Sequence, residues 1–462
     1  MTDIVSPIDD QAVYTFRELT EDEARQRLAT AAEVQKQWAQ VPLSQRLEVC
    51  RGMLDRYAEF EEDYAEQISR MMGKPIGQAR GEFRGPMRER TLKLCELAEA
   101  ALADETLPAK TGFHRFIRRE PVGTVLDIAA WNYPLIIPIN VVVPAVLGGN
   151  AVMIKHAYQT ALVADQLEQA FTSAGAPEGL VQALPVGHVT VAELIARRSF
   201  GFVAFTGSVR GGHEVYRTVA RDNFIGVGLE LGGKDPAIVL PDCDFEHAIE
   251  SLVDGAFFNA GQSCCGIERI YVHGDIYDRF VEAYVAKTRE QVVGNPLEAG
   301  TTMGPVVNAA AAERISGHIE QAVARGATIR CGASDFEVPD LSSCYLAPHV
   351  LVDVDHEMDV MTEETFGPVV GIMKVGDEAE ALRLANDSEY GLTASVWTAD
   401  QRRGMALMQQ LDAGTVYLNR CDYLDPGLAW TGVKDSGHGA SLSSLGFQSV
   451  TRPKSFHLRT ET

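Results

Sequence analysis

The chain has 462 residues, 23% of them charged, and a net charge of −23. This length is well above the ~250–300 residues at which a single hydrophobic core stops growing, so we expect two or three large domains. The acidic balance argues against nucleic acid and anionic membranes as partners, because both are bound by clustered Lys and Arg side chains.

The first hundred residues are predicted to be mainly helical. The N-terminal segment MTDIVSPIDD has no basic region followed by an apolar stretch, so we expect no secretory signal and a cytoplasmic location. Between about Glu21 and Leu102, apolar positions recur at helical spacing among charged residues, as at Leu47, Cys50 and Leu54. This pattern predicts a layer of amphipathic helices.

Two series of short apolar runs follow, and each predicts a parallel sheet. The first series begins at Val122 and the second near Pro236, and stretches that can form helices separate the runs. Such alternation is typical of parallel sheets wrapped by helices, so we expect two α/β domains that share a cleft. The longest apolar run, Leu135 to Leu147, contains prolines and is too short to span a bilayer, which favours a buried helix.

Two segments of the first series place polar groups at predicted strand ends. In AAWNYP, Asn132 carries a neutral amide that could hold an oxyanion, although a turn residue is the simpler interpretation of this segment alone. FTGSVRGG runs from a strand into a helix, which suits a phosphate at a helix N-terminus. It is not GxGxxG, so by itself it is weak evidence for a dinucleotide.

A carboxylate stands at the end of the last strand of this series. Glu230, in GVGLELGGKDP, is flanked by glycines that let other groups approach the backbone, and a buried carboxylate is costly unless it is paired or catalytic. Residues 228–234 also match the GxxxxGK of a phosphate-binding loop. Asp235 follows where that loop needs Ser or Thr for magnesium, so we reject a nucleotide triphosphatase.

The eight cysteines have no repeating spacing, and reduced thiols are expected. No CxxC pair or HExxH cluster occurs, so no metal site is expected.

One thiol has a position that suits chemistry. The segment FFNAGQSCCGIER places Cys264 in a turn between a helix capped by Asp244 and the strand Arg269 to His273. We expect Gly261 to end that helix. The position suggests covalent catalysis, with simple packing as the alternative for an isolated cysteine pair.

Six motifs connect these segments in one order. AAWNYP, FTGSVRGG, LELGGK, FFNAGQSCCGIER, EETFGPVVG and GVKDSGHG, from about residue 120 to 440, together resemble the aldehyde dehydrogenase superfamily. The resemblance implies an α/β fold with a Rossmann-like NAD(P)-binding domain over 1–110 and 122–232 and a catalytic domain over 233–435. It also implies a small bridging β element, a hairpin over 111–121 with the segment 445–462, that joins subunits into a homodimer or homotetramer.

The same resemblance implies oxidation of an aldehyde to a carboxylic acid with NAD(P)+. Cys264 would be the nucleophile that carries a thiohemiacetal and then a thioester, and Asn132 with the Cys264 backbone N–H would form the oxyanion hole. Glu230 would activate the water that hydrolyses the thioester. Because relatives that acylate coenzyme A commonly lack this glutamate, Glu230 favours hydrolysis.

Coenzyme residues are also implied by the motifs. Lys155 resembles the lysine that holds the adenosine ribose. Tyr158 stands where NAD-preferring members usually have a glutamate, and a tyrosine does not repel a 2′-phosphate, so we expect NAD with NADP possible. The other residues that the resemblance assigns to the coenzyme are Trp131, Gly207, Ser208, Glu364 and Phe366.

The identity of the aldehyde substrate is the least defined part of the predicted function. Four side chains would line the substrate tunnel and suggest a medium-sized apolar or aromatic aldehyde: Tyr133, Ile137, Leu424 and Trp430. Arg420 could instead meet the carboxylate of a semialdehyde, and Ser441 replaces a family glutamate that handles protons in some relatives. Three alternatives stay open: acylation of coenzyme A, oxidation of a C=N bond in an imine or hydrazone, and a non-catalytic scaffold.

Overall fold

The structure is a computed structural model that describes residues 1–460. Over these residues the chain forms strands β1 to β20. Their bounds are β1 Thr2–Val5, β2 Ala12–Phe16, β3 Glu105–Thr106, β4 Phe113–Pro121, β5 Thr124–Ala129, β6 Ala151–His156, β7 Val181–Ala183, β8 Phe202–Thr206, β9 Gly226–Glu230, β10 Asp235–Val239, β11 Ile267–His273, β12 Thr328–Cys331, β13 His349–Val352, β14 Val369–Val375, β15 Tyr390–Gly391, β16 Thr393–Trp397, β17 Thr415–Leu418, β18 Val433–Lys434, β19 Gly437–His438 and β20 Thr451–Arg459.

The α-helices of the described residues are α1 to α16. Five of them precede β3, which confirms the predicted helical layer. Their bounds are α1 Glu21–Trp38, α2 Leu43–Ala58, α3 Glu61–Met72, α4 Ile76–Glu82, α5 Arg88–Leu102, α6 Ile136–Leu147, α7 Leu162–Ser173, α8 His188–Ala196, α9 Val209–Asp222, α10 Phe245–Phe257, α11 Tyr277–Thr288, α12 Ala309–Ala324, α13 Asp359–Thr362, α14 Glu378–Asn386, α15 Gln401–Met408 and α16 Ser443–Ser449.

A six-stranded sheet forms the first half of the molecule. Its order is β19-β9-β8-β5-β6-β7, and every pairing is parallel except that of β19 with β9. This confirms the first predicted series. Every residue of β5, β6 and α6 is buried, as expected for strands covered on both faces by helices. Within residues 1–460, no helix combines the length and apolarity needed to cross a bilayer.

A seven-stranded sheet forms the second half and confirms the second series. Its order is β12-β13-β14-β11-β10-β16-β17, with only the β12 pairing antiparallel. The side chain of Asp244 caps α10 by accepting from the His247 N–H at 3.3 Å, as predicted. The prediction that Gly261 ends this helix is wrong: α10 stops at Phe257, and a 3₁₀ turn follows in which Asn259 (φ 53°) and Ala260 (φ 56°) are left-handed.

The predicted hairpin over 111–121 is a single strand instead. It is β4, the centre of a three-stranded antiparallel sheet of order β20-β4-β3, because β20 from the C-terminal segment supplies one neighbour and β3 the other. The last two residues of the predicted bridging element, 461 and 462, lie outside the described residues. The three domain ranges stay predictions.

Candidate active site

A cavity of about 400 Å³ opens at the carboxyl ends of β5, β8 and β9. Parallel sheets bind ligands at such edges, since loops and helix N-termini converge there. The lining of this cavity includes eight of the predicted site residues: Trp131, Asn132, Gly207, Ser208, Glu230, Cys264, Glu364 and Phe366. Residues far apart in sequence, from strand ends of the first sheet and from loops of the second half of the chain, therefore meet around one space.

The two adjacent thiols have different surroundings. Cys264 is half-buried and lines the cavity, whereas Cys265 is only 3% exposed and its thiol donates to a carboxylate oxygen of Asp422 at 2.9 Å. The contact with Cys264 and burial raise the pKa of Cys265 well above its usual range. Cys265 is thus a neutral donor held against Asp422, and Cys264 is the thiol that a ligand in the cavity can reach.

Asn132 is fixed beside the Cys264 turn. Its Nδ2 donates to the Gln262 carbonyl at 3.2 Å, and its own carbonyl accepts from Nδ2 of Asn259 at 3.1 Å. Asn259 also donates its side chain to the Gln262 carbonyl, at 3.2 Å. Sequence reasoning missed Asn259, although asparagine is one of the few residues that adopt left-handed backbone conformations readily. The short 3₁₀ turn therefore joins the loop of Asn132 to the loop of Cys264.

Glu230 is the last residue of β9 and is half-buried, with its carboxylate accepting a hydrogen bond from the Ser441 hydroxyl. Burial raises the pKa of this carboxyl, while the Ser441 hydrogen bond and the charge of buried Arg90 act in the opposite direction. Ser441 is itself held by two 2.9 Å backbone hydrogen bonds with Trp430. The sequence identified Ser441 only as the loss of a carboxylate, and its hydroxyl in fact contacts Glu230.

A second carboxyl lies on the same face of this sheet. Asp127 of β5 is aligned with Ala204 of β8, and Ala204 is aligned with Gly228, two residues before Glu230. Asp127 is fully buried, and this burial, together with the charge of Glu230, raises its pKa well above the usual range. Burial therefore disfavours the ionised form of Asp127, whereas Glu230 lines the cavity.

The turn at Thr365 and Phe366 is organised by a buried ion pair. Glu268 pairs with Lys234 and accepts from the backbone N–H groups of Thr365 at 2.9 Å and Phe366 at 2.8 Å. Phe366 has a φ of 50°, a conformation that is uncommon for a bulky residue and is maintained by these bonds. Its ring meets the Trp131 ring edge-on at 5.6 Å.

Glu364, in the same turn, lies against the LELGGK motif. Its Oε1 accepts from the Gly233 N–H at 3.0 Å, and a Cβ at position 232 would lie only 2.3 Å from its carboxylate. A side chain at position 232 would therefore displace the Glu364 carboxylate. Burial, reinforced by the nearby Glu268 carboxylate, raises the pKa of Glu364 to about 8. The two motifs that carry these residues therefore form one wall of the cavity.

The N-terminus of α9 forms another wall. Ser208 caps this 14-residue helix by accepting from the Gly211 N–H at 3.2 Å, and Gly207, Ser208 and Val209 all line the cavity. A Cβ at Gly207 would lie 2.7 Å from the Phe205 ring. An uncovered helix N-terminus with free N–H groups is suited to a phosphate.

Lys155 and Tyr158 lie outside this cavity. Lys155, in β6, is 4% exposed, and its ammonium group is 4.8 Å from the centroid of the Tyr158 ring. The Tyr158 hydroxyl donates to Glu18 Oε1 at 2.7 Å. Burial lowers the pKa of Lys155, and the Glu18 carboxylate opposes this. Glu18 was missed because it is 140 residues from Tyr158 along the chain.

The lining of the cavity includes none of the four predicted tunnel residues, and their role stays a prediction. Ile137 is 8% exposed and Trp430 is 4% exposed, while Leu424 is half-buried against the core. The Tyr133 ring lies 4.3 Å from the Lys74 ammonium group, and burial followed by the Asp422 charge raises the pKa of Tyr133 well above its usual range. Within residues 1–460, no group of three or more His, Cys, Asp or Glu side chains could hold a metal ion.

Arg420, the candidate partner of a semialdehyde carboxylate, is exposed. Its guanidinium group lies 3.6 Å from the centroid of the Tyr423 ring. This stacking is a cation–π contact, which satisfies part of its charge without a carboxylate.

Comparison with known proteins gives a consistent result. The sequence model of the aldehyde dehydrogenase family matches residues 1–456. The chain is 34% identical over 467 residues to 3,6-anhydro-alpha-L-galactose dehydrogenase of Streptomyces coelicolor, covering 99% of this chain and 92% of that protein. It is 32% identical over 453 residues to the NADP+-dependent succinate-semialdehyde dehydrogenase of Mycobacterium avium, covering 97% and 95%. The crystal structure of betaine aldehyde dehydrogenase from Staphylococcus aureus with NAD+ superposes with a TM-score of 0.93 at 28% identity, covering 100% and 92%.

Proposed function

Because the chain belongs to the aldehyde dehydrogenase family and is an NAD(P)-dependent oxidoreductase of aldehydes, we propose that Cys264, Asn132 and Glu230 carry its reaction. The observation that supports this most strongly is that all three line one cavity together with the N-terminus of α9 and the turn of Glu364 and Phe366. A nucleophile, an oxyanion donor and a base then stand beside a site suited to a dinucleotide.

The residues around the cavity fit the coenzyme. The capped N-terminus of α9, with Gly207 before it, suits the pyrophosphate, and Trp131 lines the same space. Glu364 and Phe366 are suited to the nicotinamide ribose and ring, and Lys155 to the adenosine ribose. When bound, the coenzyme supplies the hydride acceptor of the reaction.

Cys264 begins the reaction by attacking the aldehyde carbon, and the carbonyl oxygen becomes an alkoxide. The Asn132 amide and the Cys264 backbone N–H stabilise that charge, since neutral donors act strongly when they are held in place before charge develops. The hydrogen bonds of Asn132 and Asn259 to the Gln262 carbonyl supply this rigidity. Loss of hydride from the thiohemiacetal leaves a thioester on Cys264.

Glu230 completes the turnover by taking a proton from the water that attacks the thioester, which releases the carboxylic acid and the thiolate. A base with a raised pKa is well suited to this step, because it accepts the proton more readily than an ordinary carboxylate. The Ser441 hydroxyl keeps the carboxylate in one orientation. Coenzyme A is not required by this route.

We further propose that the aldehyde is uncharged. Asp422 lies behind the Cys264 turn, where it accepts from Cys265 at 2.9 Å and from the Ser263 hydroxyl at 3.2 Å. Burial raises the pKa of Asp422 to about 6, so this carboxyl is mostly ionised at pH 7. A negative charge this close to the nucleophile disfavours an aldehyde that carries its own carboxylate.

A panel of aldehydes of different chemistry tests both the oxidation and the substrate class. The purified chain is mixed with aliphatic, aromatic, sugar and carboxylate-bearing aldehydes, each with NAD+ and with NADP+, and the absorbance of the reduced coenzyme is followed. We expect turnover to the free acid without coenzyme A, fastest with an uncharged aldehyde. An absolute need for coenzyme A, or a clear preference for succinate semialdehyde, would overturn the hydrolytic or the uncharged-substrate proposal respectively.

We propose that the chain forms a homodimer or homotetramer through β20, and that it is cytoplasmic. β20 is the outer strand of its sheet, and most of its nine residues are exposed. An exposed strand of this length is a ready surface for pairing with a second copy. Sedimentation velocity of the purified chain would test this, and a monomer at micromolar concentration would contradict it.

A further inference from the structure

Three separate segments meet at the end of the coenzyme site that holds the adenosine ribose. Leu19 donates its backbone N–H to the Pro185 carbonyl at 2.8 Å, which attaches the N-terminal segment to the loop after β7. One residue earlier, Glu18 accepts from the Tyr158 hydroxyl at 2.7 Å. A Cβ at Gly187, in the loop after β7, would lie 3.3 Å from the Glu18 carboxylate and 3.5 Å from the Tyr158 hydroxyl.

Glu18 is held from both sides although its side chain is exposed. Arg17 forms two hydrogen bonds of 2.8 Å with the Glu23 carboxylate. Thr20 caps α1 and shares a capping box with the same Glu23. The backbone on each side of Glu18 is therefore anchored, and the Tyr158 hydroxyl fixes the direction of the carboxylate itself. Burial and the Glu18 hydrogen bond raise the pKa of Tyr158 to about 12, so the phenol remains a neutral donor.

The Glu18 carboxylate interacts electrostatically with Lys155. The Lys155 ammonium lies over the Tyr158 ring, and Glu18 is the charge that opposes the effect of burial on Lys155. His188 is also near, with its ring 6.3 Å from that of Tyr158. A ligand group that reaches Lys155 at this edge therefore also meets the negative charge of Glu18.

A carboxylate at this place has a defined physical effect in dinucleotide sites. It accepts hydrogen bonds from the ribose hydroxyls of NAD and repels the 2′-phosphate of NADP. In the segment that follows Lys155, the position from which such a carboxylate would come is occupied by Tyr158. We propose that Glu18, held by Tyr158, is the carboxylate that selects NAD+ over NADP+ in this chain. This inference rests on the proposed coenzyme site and names its selectivity residue.

The test compares kcat/KM for NAD+ and NADP+ at a saturating aldehyde in the 462-residue chain. We expect the wild type to prefer NAD+, and Glu18→Gln to raise the NADP+/NAD+ ratio by about tenfold or more, which corresponds to about 1.4 kcal/mol. The change should fall mainly on the KM values for the two coenzymes, since Glu18 is proposed to contact the ribose and not the reacting atoms. Tyr158→Phe should give a smaller rise, because it keeps the ring over Lys155 and releases the carboxylate.

The matched control is Glu33→Gln, which removes the same charge from the exposed side of α1, where Glu33 contacts only Lys36 among the described residues. It should leave the ratio unchanged. Calorimetric titration with AMP and with adenosine 2′,5′-bisphosphate gives a second measurement that needs no turnover. Glu18→Gln should strengthen binding of the bisphosphate relative to AMP.

Two results would overturn the proposal: a wild-type preference for NADP+, or an unchanged ratio in Glu18→Gln in both assays. A wild-type chain that reduces neither coenzyme with any aldehyde would instead contradict the proposed function. The nucleotide titration would still decide the role of Glu18 in that case.

Discussion

The two ends of the proposed coenzyme site are built in different ways. At the thiol end, Asn132 follows the buried strand β5, Cys264 follows α10, and Glu230 is the last residue of β9. Hydrogen bonds with the Gln262 carbonyl and the Ser441 hydroxyl hold Asn132 and Glu230. At the ribose end, an exposed glutamate from the N-terminal segment is held by a tyrosine 140 residues away. The residues proposed for chemistry thus lie in recognisable sequence motifs, whereas the residue proposed for coenzyme selectivity is positioned by a contact between distant segments of the chain.

The largest effect should come from the nucleophile at the thiol end. We expect Cys264→Ala to lower kcat for aldehyde oxidation by more than about three orders of magnitude, because no other group in the cavity can form the thioester. Cys265→Ala is the matched control, since it removes an adjacent thiol that donates to Asp422 instead of facing the cavity. Equal losses in the two variants, measured by reduced coenzyme absorbance, would remove the distinction between the thiols.

The oxyanion donor should have the next largest effect. Asn132→Ala removes one prearranged donor, for which a loss of about 10²–10³ in kcat is typical. Asn132→Asp should be at least as harmful, because it places a negative charge where the alkoxide forms. Circular dichroism checks that the fold is retained. A loss confined to KM would indicate that Asn132 binds substrate without stabilising the transition state.

The smallest effect should be a change in pH dependence. Glu230 must be ionised to accept a proton, and the Ser441 hydroxyl stabilises the ionised form and so lowers the pKa of Glu230. Ser441→Ala should therefore move the acidic limb of the kcat profile to higher pH and leave the alkaline plateau close to that of the wild type. Ser449→Ala, which removes a hydroxyl bound to the Ala440 carbonyl, is the control. An unmoved limb in Ser441→Ala would show that the hydroxyl does not tune Glu230.

The contrast between the two ends also explains what could be predicted from the sequence. Both sheets and the cap at Asp244 follow from local patterns of apolar and polar residues. The helix end was misplaced because Asn259 and Ala260 take left-handed conformations before Gly261 is reached. The hairpin within 111–121 was wrong because both neighbours of β4 lie outside that range: β3 precedes it and β20 comes from the far end of the described chain.

Two of the contacts that were missed at the site are long-range. Ser441 meets Glu230 across 211 residues, and Glu18 meets Tyr158 across 140. No periodicity or motif marks such a pair in a single sequence. The residues proposed for the thiol end could be named from the sequence because covalent catalysis requires particular residue types in particular turns. The ribose end requires only a charge that several segments could supply.

The most direct test of the thioester on Cys264 is mass spectrometry of the Glu230→Gln chain quenched soon after mixing with aldehyde and coenzyme. We expect a burst of about one reduced coenzyme per site, and a peptide containing residues 257–269 whose mass is increased by the acyl group, with the acyl group on Cys264. An unmodified peptide after a full burst, or an acyl group on Cys265, would contradict the assignment of Cys264 as nucleophile and of Glu230 as the base that releases the acid.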